Sequence, residues 1–365
     1  MRVIFAGGGT GGHLYPGLAI AKALVRLEPT VEPFFIGAKR GIEARVMPDS
    51  GFKYALLDLH PLYRREIWKN VATARHLAAS WFDAGSLMRD PRPAVVVGLG
   101  GYASGMALAW ATAHRIPTAQ QVADAIPGVA ARSFSRWAAV LYLGFPEAVQ
   151  RLPRGRDTEV VVTGNPIEPP PVERMTKAQA LAKLGYPNPS GKERVVLVFG
   201  GSGGSHAINQ AVREWTAKGV PADVLVIWAT GLNQYDDYRR SENGSVLVRS
   251  YLDPISDAYQ AADLAITRAG AITCAELAAW GLPAILIPLP SAAADHQTGN
   301  AVAVQSSGAG LLLPESELTG PRLGTQTLRL LDAPDRLMAM SNAARERGRG
   351  SAAETVARDM LARFT

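Results

Sequence analysis

Short runs of apolar, β-prone residues alternate with longer stretches of helical spacing along the whole chain, the trace that βα units joined into a parallel sheet leave in a sequence. The first half offers strands over Val3–Ala6, Pro33–Ile36, Ala94–Gly98, Ala138–Leu143 and Glu159–Thr163. The second offers Arg194–Phe199, Val224–Ala229, Val246–Val248, Leu264–Thr267 and Ala284–Pro288. Each half therefore reads as a doubly wound α/β unit. Between them, Gly164-Asn165-Pro166-Ile167-Glu168-Pro169-Pro170-Pro171 is dense in proline and glycine, as expected of a stiff connection. The expected organisation is two Rossmann-like domains, over residues 1–163 and 164–344. The final stretch, Ala333–Thr365, reads as helical, with a packing partner that the pattern alone does not fix.

Composition agrees with this picture. Of 365 residues, 47% are hydrophobic and 19% charged, a balance that fills large cores and excludes disorder. A chain of this length is expected to divide into two domains. The single cysteine, Cys274, cannot form an internal disulfide, which suits a reducing compartment and excludes a cysteine-based zinc or iron–sulfur site. Met1-Arg2-Val3-Ile4-Phe5-Ala6 runs straight into glycines, so neither a signal peptide nor, elsewhere, a spanning helix is expected. The net charge is +6, and its distribution is uneven. Residues 1–165 carry 19 Lys and Arg against 12 Asp and Glu, a balance of +7, and the remainder carries −1. A basic half suits nucleic acid, an anionic membrane or a phosphorylated substrate, and charge alone does not choose among them.

Glycine loops narrow the choice. Gly8-Gly9-Thr10-Gly11-Gly12-His13 follows the first strand of the first half, and Gly200-Gly201-Ser202-Gly203-Gly204-Ser205 follows the first strand of the second. A third run, Gly98-Leu99-Gly100-Gly101-Tyr102-Ala103-Ser104-Gly105, follows another strand of the first half. A strand, a glycine turn and a helix aim backbone N–H groups and the positive end of a helix dipole at one point, which suits a phosphate. Close packing of strand on helix without a ligand is the alternative. Gly7, Gly9 and Gly12 also satisfy the dinucleotide pattern, which expects an acid at the end of the second strand. Ile36 is instead followed by Gly37-Ala38-Lys39-Arg40, which disfavours NAD and leaves NADP open.

Taken together, Gly8–Gly17, Gly98–Gly105, Gly164-Asn165-Pro166, Gly200–Ser205, Arg268-Ala269-Gly270-Ala271-Ile272-Thr273-Cys274-Ala275-Glu276 and Asp295-His296-Gln297-Thr298-Gly299-Asn300-Ala301 closely resemble the MurG family. These are peripheral membrane glycosyltransferases that add N-acetylglucosamine to the lipid-linked muramyl-pentapeptide precursor of peptidoglycan. The resemblance covers nearly the whole chain. It implies an α/β GT-B fold, two Rossmann-like domains facing each other across a cleft, with the last helix returning to the N-terminal domain. It implies UDP-N-acetylglucosamine as co-substrate with no further cofactor, a polyprenyl-diphosphate-linked sugar as acceptor, an anionic membrane surface as partner and no nucleic acid. The implied location is the cytoplasmic face of the inner membrane, and the implied role is in cell-wall synthesis and hence cell shape and division.

By position, the resemblance implies that Thr10, Gly11, Gly12 and Asp124 approach the donor from the first domain. It implies that Ser202 and its loop bind the diphosphate, and that Leu252, after Tyr251, lies by the uracil. Ala271, Ile272, Thr273, Cys274 and Ala275 then line the nucleotide, and Glu276 holds the ribose. A carboxylate accepts paired hydrogen bonds from a vicinal diol, although an exposed helical glutamate is the ordinary reading of such a residue. Gln297 and Asn300 resemble a pair that reads sugar hydroxyls; the same residues also fit a polar helix start capped by Asp295. Gly100, Gly101, Tyr102 and Ser104 fall where the acceptor diphosphate is expected.

The implied reaction is attack of an acceptor hydroxyl on the anomeric carbon as UDP leaves, which demands a base and stabilisation of the leaving diphosphate. Loop N–H groups, a helix N-terminus, Ser202 and Arg268 are candidates for the second task, and no Asp-x-Asp is placed to hold a metal. For the base the choice is His13, kept neutral by the helix dipole, against the alternative of a histidine that only braces the loop. Two positions depart from the family: Asp124 replaces an asparagine that contacts the donor sugar, and Glu168 replaces a donor-binding arginine. Arg64, Arg65, Trp68, Lys69, Trp81 and Phe82 mix basic and aromatic residues, as a membrane face does, while Trp81 also falls at a spacing that packs on the sheet. The rival functions are a UDP-sugar epimerase of related fold and a non-catalytic nucleotide-sugar- or lipid-binding protein.

Overall fold

The computed structural model describes residues 1–59, 70–201 and 203–365, excepting the side chains of residues 70–79. The chain forms two compact units. One comprises Met1–Glu168 with Arg349–Thr365, the other Pro169–Gly348. Gly164 belongs to the first unit, where it lies so close to Arg349 that an added Cβ would meet the arginine Cβ at 2.4 Å.

The first unit is built on a seven-stranded sheet. Its strands are β1 (Arg2–Gly7), β2 (Glu32–Ala38), β3 (Lys53–Leu57), β4 (Val95–Gly100), β5 (Thr118–Val122), β6 (Val140–Leu143) and β7 (Glu159–Val162). They lie in the order β3-β2-β1-β4-β5-β6-β7, every pair parallel. Helices cover both faces, so central strands such as β1 and β4 are apolar throughout rather than alternating. Phe5 pairs in register with Phe35, and their rings stack at 5.1 Å. The helix Ala352–Phe364 buries Val356, Ala357 and Met360 in the same core as Val3, Phe5 and Leu14. Polar contacts hold it there: Tyr142 Oη donates to Asp359 at 2.7 Å, and Arg363 reaches Glu159 at 2.7 Å.

The second unit has six strands: β8 (Arg194–Phe199), β9 (Val224–Ala229), β10 (Val246–Arg249), β11 (Leu264–Thr267), β12 (Ala284–Leu286) and β13 (Gly310–Leu312). Their order is β10-β9-β8-β11-β12-β13, again all parallel. Trp228 sits fully buried in its core with its indole N–H donating to Asn209 at 2.8 Å, which satisfies the one polar atom of the ring.

Strand order reverses between β1 and β4 in one sheet and between β8 and β11 in the other. Crevices at the carboxyl ends of such strand pairs are where open α/β sheets bind ligands. The three glycine loops and the Arg268–Gly270 turn all lie at those ends.

Candidate active site

In the first unit, β1 runs into the glycine loop and then into the helix Gly11–Leu27, with His13 in its first turn. Thr10 occupies the N-cap position without a side-chain cap bond, and its Oγ1 lies 3.1 Å from His13 Nδ1. The same nitrogen is 3.2 Å from the Gly8 carbonyl. The imidazole rests over the loop that follows β4. A Cβ on Gly100 would come within 2.8 Å of His13 Cδ2, and one on Gly101 within 2.3 Å of the Gly8 oxygen. Both residues have positive φ, so glycine is required there on two counts. Tyr102 lies against Gly9, and burial, followed by the nearby Glu43 charge, pushes its phenol above the usual range.

Ser104 is fully buried with its hydroxyl donating to the Gly101 carbonyl at 3.0 Å, so it braces the loop from behind. Glu43 was not singled out by the sequence, yet it is central here. Its carboxylate accepts hydrogen bonds from Gly9 N–H at 2.9 Å and Ala38 N–H at 3.2 Å. The only local sign was a pair of glycines, Gly37 and Gly41, placed where a side chain would strike it.

In the second unit, the loop after β8 ends on Ser205, which caps the helix His206–Thr216 by accepting from Ile208 N–H. Gly201 and Gly203 are exposed, and a Cβ on either would meet no described atom within 4 Å. Gly204 differs: its φ is +75° and a Cβ would lie 2.0 Å from the Thr230 carbonyl. Ser202 lies outside the described residues.

The helix Ala271–Trp280 begins immediately after the Arg268–Gly270 turn. Helical periodicity sorts the residues proposed to line a nucleotide. Ile272, Thr273, Ala275 and Glu276 share a half-exposed face, whereas Ala271 and Cys274 turn into the core. Only the first four can present side chains. Glu276 is held by Tyr259, whose hydroxyl donates to its Oε2 at 2.9 Å. Burial raises the Tyr259 phenol well above its usual range, with the Glu276 charge acting the same way, so Tyr259 remains a donor. Tyr259 was another omission from the sequence reading, since a buried tyrosine in a short helix carries no distinguishing spacing. Leu252 is buried and Tyr251 beside it exposed.

Three nominated polar residues are committed to the fold. Arg268 donates to the Ile287 and Pro288 carbonyls at 3.2 Å and pairs with Glu315 at 2.5 Å, so its charge is already answered. Asn300 is 0% exposed and donates to the Ala269 carbonyl at 3.1 Å, which ties its helix to the turn after β11. Gln297 accepts from Leu289 N–H at 3.0 Å, which leaves its NH₂ as the donating end. Asp295 occupies the N-cap position at φ +55° but makes no cap bond to the helix backbone; Thr298 donates to it instead.

Of the two departures, Asp124 is half-buried after β5 and Glu168 is exposed at the last residue of the first unit's main segment. Asn165 of the same connection is buried, with its amide donating to the Ala123 carbonyl at 2.9 Å. On the expected membrane face, Arg64, Arg65, Trp68 and Lys69 lie outside the described residues. Trp81 packs half-buried against the core, 6.2 Å from the His114 ring, as its spacing allowed; Phe82 is 71% exposed.

Among the described residues, no three His, Cys, Asp or Glu are grouped to hold a metal ion, and no helix is long and apolar enough to cross a membrane. A cavity of about 480 Å³ opens at the opposite, amino-terminal ends of β8, β11 and β12. Of its lining residues, Lys177 pairs with Asp263, and Arg194 pairs with Asp223 and Asp332.

Two doubly wound parallel units with glycine loops at both reversals of strand order are a GT-B architecture, and the chain belongs to glycosyltransferase family 28. Residues 3–143 match that family's N-terminal domain and residues 195–356 its C-terminal domain. The chain is 39% identical to the UDP-N-acetylglucosamine–N-acetylmuramyl-(pentapeptide) pyrophosphoryl-undecaprenol N-acetylglucosamine transferase of Salinibacter ruber, across 99% of this chain and 96% of that protein. It is also 39% identical to the transferase of that name from Chlorobium limicola, across 93% of each. The crystal structure of Acinetobacter baumannii MurG superposes with a TM-score of 0.78 at 26% identity, covering 99% of both chains.

Proposed function

We infer that this chain transfers N-acetylglucosamine from UDP-N-acetylglucosamine to the 4-hydroxyl of the muramyl sugar in undecaprenyl-diphosphate-linked muramyl-pentapeptide, with inversion. The observation that carries this reading lies in the second unit. An exposed glycine loop ends β8, a helix N-terminus ends β11, and on the accessible face of that helix stands a carboxylate oriented by Tyr259. Backbone N–H groups and a helix dipole suit a diphosphate, and a carboxylate suits a ribose diol. Together they describe a nucleoside diphosphate.

Chemically, the acceptor oxygen forms a bond to C1 as the bond from C1 to the diphosphate oxygen breaks. The electron pair leaves with UDP, where loop N–H groups and the helix start of Ala271–Trp280 stabilise it. Arg268 is already held by Glu315 and two carbonyls, so this reading gives the leaving group to the loop and helix N–H groups. The acceptor proton passes to His13. With Nδ1 donating to the Gly8 carbonyl, Nε2 is the ring's accepting nitrogen. The basic first half and the exposed Phe82 support work at an anionic membrane surface, on its cytoplasmic face, where a polyprenyl acceptor is anchored.

Incubation with labelled UDP-N-acetylglucosamine and a short-chain lipid acceptor tests the reading. The expected product is the lipid-linked disaccharide with inverted linkage. Release of an epimerised nucleotide sugar, or binding of UDP with no transfer, overturns it.

A further inference from the structure

Glu43 is 1% exposed, and no ion pair to it occurs among the described residues. A carboxylate is expensive to bury and is tolerated where hydrogen bonds replace its water. The chain has built a cage for it. A Cβ on Gly8 would lie 1.9 Å from its Oε1, one on Gly41 2.0 Å from its Oε2, and one on Gly37 2.8 Å from its Cγ. Within the cage, Oε2 accepts from Gly9 N–H at 2.9 Å. The peptide group that supplies this N–H also carries the Gly8 carbonyl, which lies 3.2 Å from His13 Nδ1. One peptide plane therefore joins the buried carboxylate to the imidazole.

We propose that Glu43 is a positioning residue for His13: through the Gly8–Gly9 peptide it orients and polarises the carbonyl that accepts the Nδ1 proton. Hydrogen bonds in series polarise one another, so a negative charge at the N–H end makes the carbonyl a stronger acceptor. The consequences are a fixed tautomer, with Nε2 as the accepting nitrogen, and a more basic ring. An aspartate in a catalytic triad does the same by direct contact; here a peptide stands between. The arrangement also explains why the first loop is glycine at Gly8, where any side chain would displace the carboxylate. Other ionisable groups around this loop, among the described residues, are Tyr15, Tyr102 and Arg40; on the Tyr102 phenol the Glu43 and Arg40 charges act in opposite senses, Glu43 raising it and Arg40 lowering it. Only the imidazole ordinarily titrates near neutrality.

The inference rests on His13 being the base, and its test separates the two ideas. Nitrogen-15 spectra of the His13 ring in the unmodified protein should show a protonated Nδ1 and an unprotonated Nε2. Thr10→Val should leave that tautomer in place. The reverse tautomer, with the Thr10 hydroxyl donating to Nδ1, overturns the proposal without any variant at Glu43. Glu43→Gln should lower the His13 pKa in the same spectra and cut kcat about tenfold, with little change in KM for UDP-N-acetylglucosamine. Unchanged ring pKa and kcat in a folded Glu43→Gln protein overturn the link while leaving the base intact. Full turnover in His13→Ala removes the base reading, and that result does not depend on Glu43.

Discussion

Two glycine loops of nearly matching sequence close the first strand of each unit, and their environments are opposite. At Gly8–Gly12 one backbone N–H already meets the protein's own carboxylate, Glu43, which accepts from Gly9 N–H at 2.9 Å. At Gly200–Gly204 no described carboxylate enters, and Gly201 and Gly203 face open space. On the proposed reading, a motif that satisfies a phosphate-binding pattern holds a histidine in one unit and receives a diphosphate in the other. The pattern fixes backbone shape, whereas a residue some thirty positions away decides what one of its N–H groups meets.

The sharpest way to break this contrast is His13→Ala. If the first loop serves a base, kcat falls by about 10²–10⁴ while UDP affinity by calorimetry holds. Loss of UDP binding together with turnover would place the donor on the first loop and reverse the assignment.

A second change copies the first loop's chemistry into the second. Gly203→Asp adds a carboxylate where a side chain fits without a clash, and repulsion between like charges should weaken UDP binding about tenfold or more. Gly203→Ala, which adds bulk without charge, should bind nearly as the parent does. Equal affinity in all three proteins would mean that the diphosphate lies elsewhere.

What the sequence made legible follows from the same physics. Strands buried on both faces announced themselves as apolar runs, and every such run proposed is a strand. Those passed over lack the signal. β3 is an edge strand whose Lys53 and Tyr54 are exposed, and β13 has three residues. β5 reads Thr-Ala-Gln-Gln-Val, yet Gln120 and Gln121 are each only 2% exposed between β4 and β6, and the Gln121 amide donates to Asn165. The backbone frame of the candidate site was legible, since the glycine loops and the helix start at Ala271 stand where strands end. Side-chain direction was not. Arg268, Asn300 and Ser104 have suitable chemistry but spend it on carbonyls of their own unit. Glu43 and Tyr259 reach their partners across tertiary distances that no local spacing encodes.

Tyr259→Phe sharpens the account of the donor unit. It removes a hydroxyl that donates to Glu276 and leaves the ring packed beside Phe199 and Trp280. A net loss of about 1 kcal/mol for one hydrogen bond corresponds to UDP binding several-fold weaker. His13 titration in the first unit should stay as it was, because the change touches only the second loop's unit.

The smallest effect tests whether the two loops are independent at all. The first unit is completed by the helix Ala352–Phe364, and Tyr142 secures it through Asp359. Burial works against the charged Asp359 carboxylate, but hydrogen bonds from Arg363 and Tyr142 outweigh it and hold the group below its usual range. A carboxylate so lowered adds stability that is complete above its unfolded pKa, about 4, and is lost as pH falls through the lower folded value. Tyr142→Phe should therefore cost the first unit about 1 kcal/mol at pH 7, and the difference from the parent should shrink below about pH 4. UDP affinity is expected to be unchanged at neutral pH, since the donor loop belongs to the other unit. A drop in UDP affinity that tracks the loss of stability would show that the second loop depends on the first unit's integrity, and the division of labour between the loops would have to be redrawn.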